Sequence, residues 1–271
     1  MHTGAVSELR RGANLVKQQA LKRINLRRGA DPVPESRLDD LLERHADGHE
    51  TVFVHVGLSD IKAAFETNPY EFLLGKLDDH FESIIAPGFT DYFKSSGVYH
   101  KQYSRPKHGA FGTLFLADAD YRTDDAIKSF LVKGPYRFAD CVHEDSYHED
   151  GCFAKLVEEN VLVMDIGTPW ITCSHLHHFE RTYDVDYMVE RTFDGVRLAD
   201  GECTAIEQTC HQYDSMFYMW NKPRLERLLT RHGVLSKYDL NGLNVLFFRL
   251  GDLDEVLGAK LAEDGYYLVK W

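Results

Sequence analysis

The 271-residue chain has no run of about 18 apolar residues, so no membrane-spanning helix is expected. Its first residues, MHTGAVSELRRGANLVKQQALKRINLRRG, lack the apolar segment of a secretion signal, and a cytoplasmic location is the expectation. Cysteine is sparse: Cys141, Cys152, Cys173, Cys203 and Cys210 are odd in number and include no CxxC pair, which suggests neither a disulfide framework nor a zinc ribbon. Cys173, beside a histidine cluster, reads as a buried inert thiol. No GxSxG elbow, Walker A loop, GxGxxG turn or HExxH pair occurs, which argues against the common hydrolases. Positive charge is in deficit, with 31 Lys and Arg against 43 Asp and Glu and a net charge of −12. Such a surface repels phosphate backbones and anionic lipid, so neither nucleic acid nor membrane is an expected partner.

Hydrophobic residues make up 44% of the chain, enough for one substantial core or two small ones. Residues 1–34 carry basic residues around a thin apolar stripe that ends at RGADPVP, and read as an N-terminal helical arm. The thinness of that stripe favours a solvated face over a surface that joins subunits of a homo-oligomer. ESRLDDLLERHADGHE resumes helical spacing. TVFVHVGLSDIKAAFE reads as strand, turn and helix, and the turn from His55 to Ser59 exposes N–H groups at a helix start. YEFLLGKLDDHFE is helical and leads into the strand SIIAPGFT. Asp91 to Lys107 reads as a long loop. HGAFGTLFLADADYRTDDAIKSFLVKG gives helix, turn and strand, and GCFAKLVEENVLVMDIG gives a helix and a buried strand, Val161 to Ile166. FYMWNKPRLERLLTRHGVL reads as a helix interrupted at Pro223, and the C-terminal stretch as strand, helix, strand. Alternating strands and helices imply an α/β domain with a partly parallel sheet, whose ligands collect at the carboxyl ends of the strands.

At one such strand end stands GTPWITCSHLHHFE, Gly167 to Glu180, with three histidines inside four residues. If the segment opens a helix, Ser174, His177 and Glu180 share one face at three-residue spacing. An imidazole beside a carboxylate can be held neutral near pH 7, because the carboxylate fixes its tautomer and stabilises the cation that forms. From spacing alone, a His177 hydrogen-bonded within the fold and a solvated Glu180 are equally admissible. A metal site built from HLHH and HEDSYHED is a further reading, although His175 and His177 would face different directions on a helix.

The order of segments resembles that of the antibiotic N-acetyltransferase family, typified by the aminoglycoside 3-N-acetyltransferases, and within it the branch of amino-sugar and surface-polysaccharide biosynthesis. VFVHVGLSDI stands where the family has a His-x-Ser-Leu turn, and APGFTDYF where it has a Pro-x-Phe-Thr strand end. SRPKHGAFGTLF is similar to its loop before a Gly-led helix, and YRTDDAIKSFLVKG to its Arg-Ser/Thr element. Gly167 to Glu180 fits a Thr/Ser-x-x-His-x-x-Glu ending without a gap. The resemblance runs collinearly from Leu38 to Arg197. It implies a three-layer α/β/α fold with a central mixed, partly parallel sheet over residues 35–271, and an acetyl-CoA-dependent N-acetyltransferase that needs no metal. The acceptor would be a primary amine of an amino-sugar, nucleotide-linked amino-sugar or aminoglycoside, attacking the acetyl thioester directly. His177 would be the general base, and Glu180 would orient it or hold the substrate ammonium. His55, Val56, Gly57 and Leu58 would supply backbone donors to the thioester oxygen, and Arg122, Thr123 and Ser129 would line the CoA groove. Asp91, Tyr92, Ser174, Asp186 and Tyr187 would contact the acceptor.

The chain departs from the family pattern at three points. Gly57 replaces a serine, and Ala126 a proline. Asp186, Tyr187 and Met188 replace Pro-Tyr-Arg, which makes that wall more acidic and favours a cationic amine. A non-catalytic homologue that binds CoA or a sugar, and a metal-dependent hydrolase using the histidines, are the competing expectations.

Overall fold

The computed structural model describes residues 32–215 and 217–270, so the arm read over residues 1–34 lies outside the described residues except for its last three. The elements in chain order are α1 (Ser36–Ala46), β1 (Thr51–Val56), α2 (Leu58–Phe65), α3 (Pro69–Asp78), β2 (Ser83–Pro87), α4 (Phe93–Ser96), β3 (Val98–His100), α5 (Ala110–Phe115), β4 (Tyr121–Arg122) and β5 (Phe130–Lys133). There follow α6 (Cys152–Glu158), β6 (Leu162–Ile166), α7 (Leu176–Thr182), β7 (Met188–Ala199), β8 (Glu202–Tyr213), β9 (Met219–Trp220), α8 (Lys222–Arg231), β10 (Ser236–Leu240), β11 (Leu243–Arg249), α9 (Leu250–Glu263) and β12 (Val269–Lys270).

Seven strands form the main sheet in the order β10-β11-β6-β1-β2-β5-β4. β6, β1 and β2 run parallel, while β11, β5 and the two outer strands pair antiparallel. Successive strand residues point to opposite faces, and each central strand divides its side chains accordingly. Val52 and Val54 of β1, Leu162 and Met164 of β6, and Val245 and Phe247 of β11 pack with α1, α2, α3 and α5. Phe53, Val163, Leu246 and Phe248 pack on the other side with α6, α7, α8 and α9. The result is the expected three-layer α/β/α fold around a mixed sheet.

Two secondary sheets flank it: β3-β7-β8 and the pair β12-β9. β7 and β8, each twelve residues long, form a hairpin turned by Asp200 and Gly201 at φ 51° and 82°, the positive-φ pair that a two-residue hairpin turn requires. The sequence reading missed this hairpin. ECTAIEQTCHQY buries only Gln208 and Cys210 fully and carries no apolar alternation, so the Asp-Gly turn is its clearest signal. Two other expectations are corrected. The segment from Asp91 to Lys107 contains α4 and β3 rather than being all loop. Pro223 starts α8 instead of interrupting it: it lies in the first turn, where no N–H partner is needed, behind the Asn221 side chain that accepts the Arg224 N–H at 3.3 Å.

The chain leaves β1 to one side for β2 and returns on the other side for β6, so their carboxyl ends form the crevice where doubly wound sheets hold ligands. Closing that crevice demands two glycines. A Cβ on Gly57 would lie 2.1 Å from the Gly167 carbonyl oxygen, and one on Gly167, at φ 72°, would lie 2.3 Å from that of Gly57.

Candidate active site

A cavity of about 340 Å³ opens at this crevice. Val54, Pro87, Phe89 and Phe111 give it an apolar wall, and His55, Ser174 and His177 bring polar atoms to it. β6 ends at Ile166, and α7 begins ten residues later, so Ser174 lies one turn before His177 and both reach the cavity.

His177 is about one quarter exposed, and its Nδ1 lies 2.8 Å from Glu180 Oε2. Glu180 has no exposed surface. Its other oxygen, Oε1, accepts hydrogen bonds from the Tyr187 hydroxyl at 3.0 Å, the Tyr213 hydroxyl at 3.3 Å and Trp220 Nε1 at 2.8 Å. Three donors on one oxygen offset the cost of burying the carboxyl group and fix its rotation. Burial and the neighbouring carboxylate hold both tyrosine hydroxyls well above their ordinary pKa, so they act as donors. The His177 ring is packed between Trp220 at 4.6 Å, Tyr213 at 5.4 Å and Tyr147 at 5.9 Å. Nδ1 is committed to Glu180, which leaves Nε2 as the nitrogen available for chemistry.

A second imidazole and carboxylate stand at the same cavity. His55 of β1 and Asp165 of β6 are register partners on neighbouring parallel strands, with Nδ1 3.1 Å from Oδ1. Neither atom completes a hydrogen bond at that distance, because the ring N–H lies off the direct line to the oxygen. Asp165 is fully buried, and its Oδ2 accepts the Thr172 N–H at 2.5 Å. Burial pushes its carboxyl pKa up, and His55 draws it partly back. On the far side of the ring, Ser174 Oγ lies 3.4 Å from His55 Nε2.

The remaining histidines of the cluster do not reach the cavity. His175 is wholly buried beside Phe53 and Phe153, neither ring nitrogen has a partner, and burial holds its pKa well below the ordinary value. Burial likewise lowers His178 to about 4. Cys173 is a buried thiol with a raised pKa, poorly suited to nucleophilic attack. Among the described residues, no group of three or more His, Cys, Asp or Glu is placed to hold a metal ion.

Of the residues singled out in the sequence, the structure brings His177, Glu180, Tyr187, Ser174, His55 and Val56 together. Gly57 and Leu58 do not line the cavity, and the Gly57 N–H is spent on the Ile166 carbonyl at 2.8 Å, so it is no donor to a substrate oxygen. Arg122, Thr123 and Ser129 are buried as a latch. The guanidinium donates to the carbonyls of Gly88, Lys101 and Ser104 and to Ser129 Oγ, while Ser129 donates to Gly88 and Thr123 Oγ1 accepts the Phe130 N–H. These three side chains hold the loop before α5 and do not face the cavity. Asp91 pairs with Lys94, Lys128 and His108 at 3.1–3.2 Å; burial raises its carboxyl pKa, but the His108 hydrogen bond and the charges of Lys128 and Lys94 pull it well below the ordinary range. Tyr92 and Asp186 are exposed, so the acidic wall expected at Asp186 is not part of the cavity.

Sequence reasoning missed Asp165, Tyr213 and Trp220. Asp165 had a signal, as the one charge inside the apolar run VLVMDIG, where it must find a partner. Tyr213 and Trp220 had none, because only the hairpin and the β9 pairing carry them to Glu180.

Residues 88–261 match the family described as aminoglycoside 3-N-acetyltransferase. No curated protein matches the chain in sequence. Among solved structures, the YokD protein from Bacillus subtilis superposes with a TM-score of 0.66 at 14% identity, over 87% of this chain and 96% of its own. The aminoglycoside acetyltransferase AAC(3)-IVa, solved as the apoenzyme, gives 0.65 at 14% identity over 89% and 92%. AAC-IIIb, solved with CoASH, gives 0.65 at 14% identity over 82% and 95%. At such identity the superpositions establish a shared fold.

Proposed function

The chain belongs to the aminoglycoside 3-N-acetyltransferase family, and from that membership we propose that it transfers an acetyl group from acetyl-CoA to the primary amine of an amino-sugar, with His177 as general base. The observation that carries the assignment is the 2.8 Å contact between His177 Nδ1 and a Glu180 carboxylate immobilised by three further donors. A primary amine is mostly an ammonium ion at neutral pH and cannot attack until a proton leaves. With Nδ1–H aimed at Glu180, the lone pair of Nε2 is free to take that proton as the nitrogen attacks the acyl carbonyl carbon. The imidazolium that forms is stabilised by the buried carboxylate beside it. The C–N bond forms, the bond to the acyl carrier breaks, and the carrier leaves as the conjugate base or takes the proton back from His177.

The cavity suits this pair of substrates. Its apolar side, formed by Val54, Pro87, Phe89 and Phe111, fits a pantetheine arm, and its polar side holds the base. AAC-IIIb, of the same fold, has been solved with CoASH. The lining supplies Lys128, already paired to Asp91, and no carboxylate among the described residues. Glu180 and Asp165 are sealed from solvent. A polycation therefore finds no counter-charge on the cavity wall, which favours an amino-sugar with one amine, neutral or anionic elsewhere, over an aminoglycoside.

Thiol release from acetyl-CoA, measured against amino-sugars, nucleotide-linked amino-sugars and aminoglycosides, tests reaction and acceptor together. His177→Ala is expected to lower turnover by about two to four powers of ten with little change in CoA affinity. Full turnover in that variant would remove the base assignment.

A further inference from the structure

Two thiols that the proposed transfer does not use stand at the ends of one loop. Val142 and Gly151 are parallel bridge partners, and the Val142 N–H donates to the Asp150 carbonyl at 2.9 Å, so the chain from 142 to 151 returns on itself and brings Cys141 beside Cys152. Both thiols are free, Cys141 partly exposed and Cys152 buried at the start of α6. The two are hydrogen-bonded to each other. That bond and the charge of Lys155 hold Cys141 below the ordinary thiol pKa, against the opposing effect of burial. The same bond, together with burial, pushes Cys152 well above it. A third group completes the set: His143 Nδ1 lies 3.4 Å from Cys152 Sγ, and burial lowers the His143 pKa, so a neutral ring can present a lone pair to the thiol.

We propose that Cys141 and Cys152 are a peroxide-sensitive pair that closes to a disulfide across the base of this loop and slows the transfer reaction. A thiolate is the species that peroxide oxidises, and an accessible thiolate beside a second thiol is the arrangement that turns the first oxidation product into a disulfide. The Cys141 thiolate attacks one oxygen of hydrogen peroxide, the O–O bond breaks, and the departing hydroxide takes up a proton and leaves as water. Cys141 is then a sulfenic acid. The Cys152 proton passes to His143 Nδ1 as the Cys152 sulfur attacks Cys141 Sγ. The S–O bond breaks, and the leaving hydroxide takes that proton from His143 as the second water. Two thiols and one peroxide thus give one disulfide and two waters. The closed loop is not remote from the cavity. Tyr147, within it, is on the cavity wall with its ring 5.9 Å from that of His177, and Asp145 pairs with Arg181 of α7. Phe153, next to Cys152, packs on Tyr147 at 4.9 Å. Forming the bond draws the start of α6 toward Cys141, and Phe153 carries that shift to Tyr147 and the ring it packs on. Reacting groups tolerate little displacement, so the disulfide form is the slower one; this last step rests on the reading of His177 as the base.

Peptide mapping tests the pair without any substrate. The full-length protein carrying Cys203→Ser, which removes the exposed thiol, is treated with hydrogen peroxide, and its remaining thiols are then alkylated. A linkage between the peptides of Cys141 and Cys152 is expected, reversed by dithiothreitol. Adding Cys152→Ser should leave a sulfenic acid on Cys141 that dimedone traps, and adding Cys141→Ser should leave Cys152 reduced. His143→Leu should slow the closing step by about a hundredfold, with sulfenic acid accumulating meanwhile. Each variant is checked for a native melting curve. Absence of the linkage from folded protein, at peroxide levels that oxidise free cysteine, overturns the proposal. Acetyl transfer, read by the mass of the acylated amine, should fall by roughly tenfold on oxidation and recover with dithiothreitol, while the Cys141→Ser protein should not respond to peroxide. A linked protein with unchanged transfer overturns the coupling to the cavity. Linkage in a protein that acylates no amine in either redox state leaves the thiol pair standing and removes the acetyltransferase reading instead.

Discussion

Replacing Glu180 by glutamine changes one oxygen to an NH2 group with almost no change of volume, and the structure dictates which oxygen. Oε1 accepts from Tyr187, Tyr213 and Trp220, and the indole nitrogen can only donate. The amide oxygen must therefore occupy the Oε1 position, and the NH2 group faces His177 Nδ1. That nitrogen then becomes the acceptor, the ring proton moves to Nε2, and the base presents N–H where it needs a lone pair. A wrong tautomer of this kind is worth about three to four powers of ten in turnover. Stability should fall less. Three hydrogen bonds to a charged oxygen become bonds to a neutral one, each weaker by about 1 kcal/mol, offset in part by the lower cost of burying an amide than a carboxylate. A net loss of about 1–3 kcal/mol corresponds to a Tm lower by roughly 2–12 °C for a domain of this size. Glu180→Ala should behave differently, because it strands the donors of Tyr187, Tyr213, Trp220 and His177 at about 1–3 kcal/mol each, a large share of the roughly 5–15 kcal/mol that holds a domain folded. The assay is thiol release alongside a melting curve for both variants. A Glu180→Gln protein within a fewfold of wild-type turnover would refute the tautomer argument, whatever its Tm.

Three further outcomes are expected. His175→Leu should stabilise the protein by about 1–3 kcal/mol at pH 7, since it removes two buried ring nitrogens without partners. The His175 pKa is depressed by burial in the fold, so the unfolded chain binds a proton near pH 6.5 that the folded chain refuses. Wild type thus loses stability as pH falls below that value, and the advantage of the variant should widen by about 1.4 kcal/mol per pH unit; a pH-independent difference between the two melting curves would contradict this. Gly57→Ser, which restores the residue of the family pattern, should lower both Tm and turnover, because its Cβ meets the Gly167 backbone at 2.1 Å; crowding of this kind costs about 1–3 kcal/mol or more. Arg122→Lys cannot reproduce four directed hydrogen bonds and should cost about 2–4 kcal/mol of stability, while CoA affinity of the folded protein, read by calorimetry, stays near wild type. A selective loss of CoA binding would return Arg122 to the site.

The sequence by itself determined the layers of this protein and one half of its candidate site. Strand alternation is a local property, so Val52, Val54 and their counterparts were bound to face away from Phe53 and His55. Helical spacing is equally local, and it placed His177 and Glu180 on one side of α7, with Ser174 in the turn just before it. Pairing between segments distant in the chain has no such local signature. That Asp165 stands beside His55 depends on β6 inserting next to β1 in one register, and a shift of a single residue would turn both side chains to opposite faces. That Glu180 is clamped by Tyr213 and Trp220 depends on a hairpin and a two-residue strand whose sequences show no period to read. The removal of Arg122 and Asp91 from the cavity has the same origin. A charged side chain in a sequence looks available to a ligand, and only the packed fold reveals that backbone carbonyls or neighbouring lysines have already taken its hydrogen bonds.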